Sequence, residues 1–168
     1  MGNKISVGIL TISDKGSKGL REDESGAVLV GIIEEKGYSV VKKEIVPDER
    51  RLIADKISSW VDKDGLSLIV TSGGTGLSPT DVTPQAMQDI IDYEVPGMAE
   101  AMRAASLKKT PHAMISRAMV GVRKASLIIN LPGSPRGAEE NLSVVFPALD
   151  HALSKLAGDT SDLSLIHI

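Results

Sequence analysis

Along the chain, short apolar runs alternate with longer stretches in which apolar residues recur every three or four positions. The first run, Ile5 to Ile12, is rich in β-branched residues and ends at a polar, glycine-containing loop, which predicts a buried strand. After a loop from Ser13 to about Glu24, Ser25 to Lys36 carries Val28, Leu29, Ile32 and Ile33 at helical spacing, with Gly37 as the stop. Tyr38 to Val46 reads as a second strand and Pro47-Asp48-Glu49 as a turn. Arg50 to Val61 reads as a helix with Leu52, Ile53, Ile57 and Trp60 on one side, and Leu66 to Thr71 as a third strand, apolar throughout.

The second half continues the alternation. A loop from Ser72 to Thr83 precedes a helix expected to start at Pro84, capped by Thr83, and to end near Ile91. Another begins near Gly97 or Met98 and carries Met102 and Leu107. Ala118 to Val122 and Leu127 to Leu131 read as strands around the turn at Arg123-Lys124-Ala125, the first a candidate antiparallel strand. Pro132 to Pro135 is a loop, and Arg136 to Ala157 a long helix in which Pro147 predicts a kink or break. Such a pattern predicts an α/β domain: a mostly parallel sheet with helices on both faces, a three-layer sandwich. One domain is expected over residues 1–157, with a tail over 158–168.

Composition narrows the function classes. With 168 residues the chain is long enough for a real core, built from aliphatic residues because the aromatics are only Trp60, Tyr38, Tyr93 and Phe146. A net charge of −3 and few rings for stacking argue against nucleic-acid binding. The absence of cysteine excludes disulfides and thiolate chemistry and agrees with a cytoplasmic setting. No apolar run reaches membrane-spanning length, and the first residues carry no cleavage-site pattern, so neither a membrane segment nor a signal peptide is expected.

In open α/β sheets, ligands bind outside the carboxyl ends of the parallel strands. The segments there are Ser13-Asp14, Pro47-Asp48, Ser72 to Gly76 with Asp81 beyond it, and Pro132 to Pro135. The run Ser72-Gly73-Gly74-Thr75-Gly76 lets backbone N–H groups approach an anion, and equally suits a plain turn. Neither a Gly-Lys-Ser/Thr sequence nor GxGxxG spacing is present. Asp48 and Asp81 read either as turn or capping acids or as holders of Mg²⁺, and spacing alone favours the turn for Asp81. Pro132-Gly133-Ser134-Pro135 precedes a helix start, where anions bind. Arg117, beside Ser116, reads as a phosphate grip or as solvated surface. His112, His151 and His167 have no metal-ligand spacing and read as surface or structural.

With those segments in order, the chain resembles the molybdopterin adenylyltransferase family, the MogA and MoaB group of molybdenum-cofactor synthesis proteins. The resemblance rests on Thr11-Ile12-Ser13-Asp14, Asp23-Glu24-Ser25-Gly26, Val46-Pro47-Asp48-Glu49, the run from Ser72 to Gly76, Asp81-Val82-Thr83-Pro84, Glu94-Val95-Pro96-Gly97, Ser116-Arg117 and Leu131 to Pro135. It implies a three-layer α/β domain, commonly a trimer, that transfers AMP from ATP to the terminal phosphate of molybdopterin with Mg²⁺ and releases pyrophosphate. By that resemblance Asp48 and Asp81 are the catalytic and metal-holding acids. Ser13, Asp14, Ser72, Gly73, Gly74, Thr75, Gly76, Pro132, Gly133 and Ser134 bind substrate, with Glu100, Ser116 and Arg117 as further pocket candidates. Other molybdenum-cofactor synthesis proteins are expected partners. The competing readings are a molybdopterin-binding paralogue without transferase activity, a molybdate insertase and a nucleotide hydrolase. The last two are expected in longer, multidomain chains.

Overall fold

The computed structural model describes residues 4–161 of the chain. It contains a six-stranded sheet in the order β2-β1-β3-β6-β5-β4. The strands are β1 (Ser6–Ile12), β2 (Ser39–Val46), β3 (Leu68–Ser72), β4 (Tyr93–Glu94), β5 (Val120–Arg123) and β6 (Ser126–Leu131). Strands β2, β1, β3 and β6 are parallel, while β5 pairs antiparallel with β6 and β4 with β5. The helices are α1 (Asp14–Ser17), α2 (Glu24–Glu35), α3 (Arg50–Asp62), α4 (Thr83–Ile90), α5 (Pro96–Leu107) and α6 (Pro135–Leu156). A 3-10 segment at Pro111–Ile115 links α5 to β5.

The side chains of β1 alternate between the two faces of the sheet. Val7 and Ile9 join a core built with α2, α5 and α6, in which Leu29, Met102, Leu142 and Leu149 are buried. Leu10 and Ile12 join a second core with α3 and α4, built around Ile53, Ile57, Trp60 and Met87. This two-sided burial explains why β1, β3 and β6 are almost wholly apolar. Gly8 leaves room for Trp60: a Cβ there would lie 2.6 Å from the indole ring.

The predicted alternation is present, and the antiparallel strand expected over 118–122 is β5, which spans Val120–Arg123 and takes in the first residue of the expected turn. Four local expectations change. The loop after β1 contains α1, whose N-cap is Ser13, accepting from the Gly16 amide. Helix α2 begins one residue earlier than expected, capped by Asp23. Thr83 does not cap α4; it is the first helical residue, behind Val82, and its hydroxyl serves the glycine loop. Helix α6 runs unbroken through Pro147, which is exposed on its outer side. Of the tail expected over 158–168, residues 158–161 are exposed and the rest lie outside the described residues, as does His167.

The chain passes from β1 to β2 on one side, then returns to β3 on the other side of β1. The β1/β3 boundary is therefore a switch point, where the two following connections leave in opposite directions and open a crevice.

Candidate functional site

A cavity of about 690 Å³ lies at that crevice. The end of β1 supplies Thr11, Ile12 and Ser13, and the end of β3 supplies Ser72, Gly73 and Gly74. Asp48 enters after β2, Asp81 from the connection to α4, and Gly133, Ser134 and Pro135 from the turn into α6. Segments far apart in sequence thus converge because the parallel strands end on one edge.

The glycine loop is held open by conformation and by contacts. Gly73 and Gly74 have φ of 110° and 68°. A Cβ at Gly73 would lie 2.3 Å from the Ile12 carbonyl oxygen, and one at Gly74 would lie 2.3 Å from Thr83 Oγ1 and 3.4 Å from Asp48 Oδ1. Both positions thus require glycine by sterics as well as by dihedral angle. The Thr83 hydroxyl donates to the Gly73 carbonyl at 2.9 Å, and the Thr83 amide donates to the Gly74 carbonyl at 3.1 Å.

The neighbouring loop is stitched to the glycine loop. Ser72 donates its hydroxyl to the Pro132 carbonyl at 2.9 Å, and the Gly73 amide donates to the Leu131 carbonyl at 3.0 Å. Ser25 donates to the Gly133 carbonyl at 3.0 Å, tying the start of α2 to the same turn. Ser134 caps α6, accepting from the Gly137 amide at 3.1 Å. The N-terminal end of a 22-residue helix therefore lies at the cleft, a setting that favours an anion, although Pro135 has no N–H and the Gly137 amide is taken by Ser134.

Acidic residues dominate the opposite rim. Asp48 Oδ2 accepts from the Asp14 amide at 3.0 Å, and Asp14 Oδ1 accepts from the Asp48 amide at 2.9 Å. Burial pushes the Asp48 carboxyl above its ordinary range; the Asp14 amide opposes that, while the negative charges of Asp14 and Asp81 reinforce it. Asp81 Oδ2 accepts from the Ser78 amide at 3.0 Å, so it closes its own turn and does not cap α4. Asp48 likewise makes no cap for α3, whose N-cap Glu49 has no side-chain hydrogen bond. Both acids expected from the resemblance therefore line the cleft without serving the helices that follow them.

A second cavity of about 340 Å³ lies beyond Ser134. Thr75, Gly76, Ser116 and Pro132 line it together with Arg103, Ser106, Lys109, His112 and Asn141. The expected substrate residues are thus divided between two clefts that share Ser134. The second cleft carries Arg103 and Lys109 with one carboxylate, Glu140; Lys109 pairs with Glu140 at 2.9 Å, and Arg103 donates Nη1 to the Ala118 carbonyl at 2.8 Å.

Three expected pocket residues take other places. Glu100 is exposed on α5 and lines neither cleft. Arg117 lies behind the glycine loop, donating Nε to the Gly76 carbonyl at 2.8 Å and Nη2 to the Asp81 carbonyl at 2.7 Å. Its guanidinium holds backbone where a phosphate grip was one expectation. Asp14 is exposed beside the first cleft and acts on it through Asp48. Sequence reasoning gave no role to Arg21, Asp23 or Ser25, which line the first cleft. Asp23, directly before α2, carried a readable capping signal.

A model of a probable molybdopterin binding domain matches residues 8–151. The chain belongs to the molybdopterin-binding family. It is 40% identical over 157 residues to a molybdopterin adenylyltransferase of Helicobacter pylori, covering 92% of this chain and 89% of that protein. Identity to the molybdopterin adenylyltransferase of Escherichia coli is 36% over 149 residues, covering 85% and 74%. Among solved structures, the molybdopterin biosynthesis enzyme MoaB of Thermus thermophilus superposes with a TM-score of 0.87 at 48% identity, covering 92% of this chain and 98% of the other. The Mog protein of Mycobacterium ulcerans gives 0.88 at 35% identity, covering 94% and 100%. This molybdopterin-binding chain therefore shares its fold over nearly its whole described length with molybdenum-cofactor synthesis proteins.

Proposed function

We propose that this protein is a molybdopterin adenylyltransferase of molybdenum-cofactor synthesis. It transfers AMP from ATP to the terminal phosphate of molybdopterin and releases pyrophosphate. The observation that carries the reading is the first cleft itself: a glycine loop, the N-terminal end of α6 and two aspartates that do not cap the helices after them line one cavity. The adenylyltransferases to which the chain is similar support the same reading.

Among the described residues no group of three or more His, Cys, Asp or Glu could hold a metal ion. Mg²⁺ is commonly held by one or two carboxylates plus substrate phosphates, so Asp48 and Asp81 fit an ion that arrives with ATP. The raised Asp48 pKa reflects partly repulsion from Asp14 and Asp81, which a cation would relieve. Bound there, Mg²⁺ would offset the charge of the transferring and leaving phosphates.

The residues themselves supply position. The Gly73 and Gly137 amides are taken by the Leu131 carbonyl and the Ser134 hydroxyl, so the Gly74 and Arg136 amides are the backbone donors left for phosphate oxygens, and Ser13 lines the mouth. The second cleft, with Arg103, Ser106, Lys109 and Asn141, suits the pterin, leaving both phosphates near Ser134. An oxygen of the molybdopterin phosphate then bonds to the α-phosphorus of ATP, and the bond from that phosphorus to the pyrophosphate oxygen breaks. A phosphate monoester is already an anion near neutral pH, so positioning and charge compensation carry the catalysis.

Residues 1–157 act as one domain in this reading, supported by the end of α6 at Leu156. A trimer has candidate apolar contacts in the exposed Leu77, Met114 and Ile115. Among the described residues no helix is long and apolar enough to cross a membrane. The need for ATP and the lack of cysteine support a cytoplasmic setting. Contact with other cofactor-synthesis proteins would follow from the reactivity of the product.

The test is anaerobic incubation of the protein with molybdopterin, ATP and Mg²⁺, with chromatography of the pterin products. Adenylylated molybdopterin from the wild type, and little from Asp81→Asn, is the expected result. Tight pterin binding without product would instead indicate a binding paralogue.

A further inference from the structure

The first cleft has an electrostatic imbalance. Five carboxylates line it, from Glu22, Asp23, Glu24, Asp48 and Asp81, against one cationic side chain, Arg21. Arg117 is not available to a ligand there through Nε or Nη2, which hold the Gly76 and Asp81 carbonyls. Lys43 lies 3.7 Å from Asp23 and is not part of the lining. A triphosphate brought into this cleft would meet more negative charge than a single Mg²⁺ offsets.

Arg21 is placed to meet that need. It is exposed, and makes no hydrogen bond or ion pair with another described residue. Its backbone is nevertheless tethered on both sides. Leu20 donates its amide to the Lys15 carbonyl at 2.9 Å, and Gly19, with a φ of 70°, donates to the Gly16 carbonyl at 3.0 Å. On the other side Asp23 caps α2 through the Gly26 amide at 2.9 Å. A free guanidinium on a tethered segment at the rim loses little backbone entropy on engaging a ligand.

We propose that Arg21 is the clamp for the leaving pyrophosphate, gripping the β- and γ-phosphates of ATP with its planar fork. This rests on the adenylyltransferase reading. When the α-phosphorus accepts the new oxygen, the electron pair of the breaking bond passes to pyrophosphate. A guanidinium at the rim is matched to that growing charge and to release toward solvent.

The experiment is calorimetric titration of the full chain and of Arg21→Ala and Arg21→Lys with magnesium pyrophosphate and, separately, with AMP, alongside adenylylation assays. Arg21→Ala is expected to weaken pyrophosphate binding about 10- to 100-fold, the scale of a charge-assisted hydrogen bond. AMP binding and thermal midpoint should not change. Arg21→Lys should recover only part of the loss, because an ammonium lacks the fork. Unchanged pyrophosphate affinity in Arg21→Ala overturns the clamp, as does an equal loss for AMP and pyrophosphate. If the wild type binds pyrophosphate through Arg21 yet makes no adenylylated pterin, Arg21 remains a pyrophosphate-binding residue, while its role on a leaving group falls with the transferase reading. A wild type that binds no pyrophosphate overturns the clamp.

Discussion

Asp14 and Asp48 each accept a hydrogen bond from the other's backbone amide, at 2.9 and 3.0 Å. This reciprocal pair locks the loops after β1 and β2 together and holds two carboxylates close enough for mutual repulsion. The arrangement stores unfavourable charge where the proposed mechanism would use a cation. Asp48→Asn should therefore raise the thermal midpoint or leave it unchanged while lowering adenylylation about 10²- to 10³-fold, the scale of a lost electrostatic contact in a transition state. Differential scanning calorimetry beside the anaerobic assay checks both. A variant that lost stability and kept its turnover would make Asp48 a structural residue only.

The glycine loop yields a second prediction. Thr83→Val keeps the shape of the side chain and removes the donor to the Gly73 carbonyl. Leaving that acceptor unsatisfied should cost about 1–3 kcal/mol, measured by urea unfolding. Gly74→Ala should be worse for activity than for stability. Its new methyl would strike Thr83 Oγ1 in a positive-φ conformation and approach Asp48, moving the two groups that shape the loop. Turnover falling further in Gly74→Ala than in Thr83→Val is the outcome expected of a binding loop.

These contacts mark where sequence was informative. The strands β1, β3 and β6 were legible because burial on both faces leaves an unbroken apolar run. Helix α1 was not, since it has four residues and buries none of them. Strand β4 has two residues, both exposed, and gives no apolar alternation. At the site, residue types were legible and their directions were not. Ser72 reads as a donor in either setting, but its acceptor, Pro132, lies 60 positions away and is fixed by the pairing of β3 with β6. The second cleft draws on α5, the 3-10 segment and α6, whose polar residues are scattered singly in sequence, so no local motif announces it.

Acid should act on the protein with opposite signs at two aspartates. Asp62 accepts both prongs of Arg123, at 3.1 and 2.7 Å, and pairs with Lys124 at 2.9 Å. The Arg123 and Lys124 contacts hold its carboxyl down to about 2, below the ordinary 3.8. Its contribution is thus full above pH 3.8 and is lost as pH falls through about 2. Asp48 is raised, so its contribution is greatest below 3.8 and declines as pH rises through its folded pKa. Urea unfolding across acid and neutral pH should show Asp62→Asn less stable than wild type at neutral pH, with the gap closing in acid. Asp48→Asn should be no less stable at neutral pH, its advantage vanishing in acid. Parallel curves for wild type and both variants would contradict these linkages.

Arg117 offers the sharpest contrast between a ligand contact and a support. Its Nε and Nη2 bind the carbonyls of Gly76 and Asp81, and its own amide donates to the Thr75 carbonyl at 2.8 Å. One residue thus spans the glycine loop and the backbone of the proposed metal-holding acid. Lysine at this position keeps the charge but lacks the planar fork through which Arg117 donates to both carbonyls. If the role is support, Arg117→Lys should lower the thermal midpoint and reduce kcat through a misplaced Asp81, with ATP affinity retaining the salt dependence of the wild type. If the guanidinium instead gripped phosphate, the variant should keep its midpoint, raise KM for ATP and flatten that salt dependence, because a charged contact to the ligand would have been weakened. The paired carbonyl contacts favour the first outcome, and a midpoint unchanged in Arg117→Lys would count directly against it.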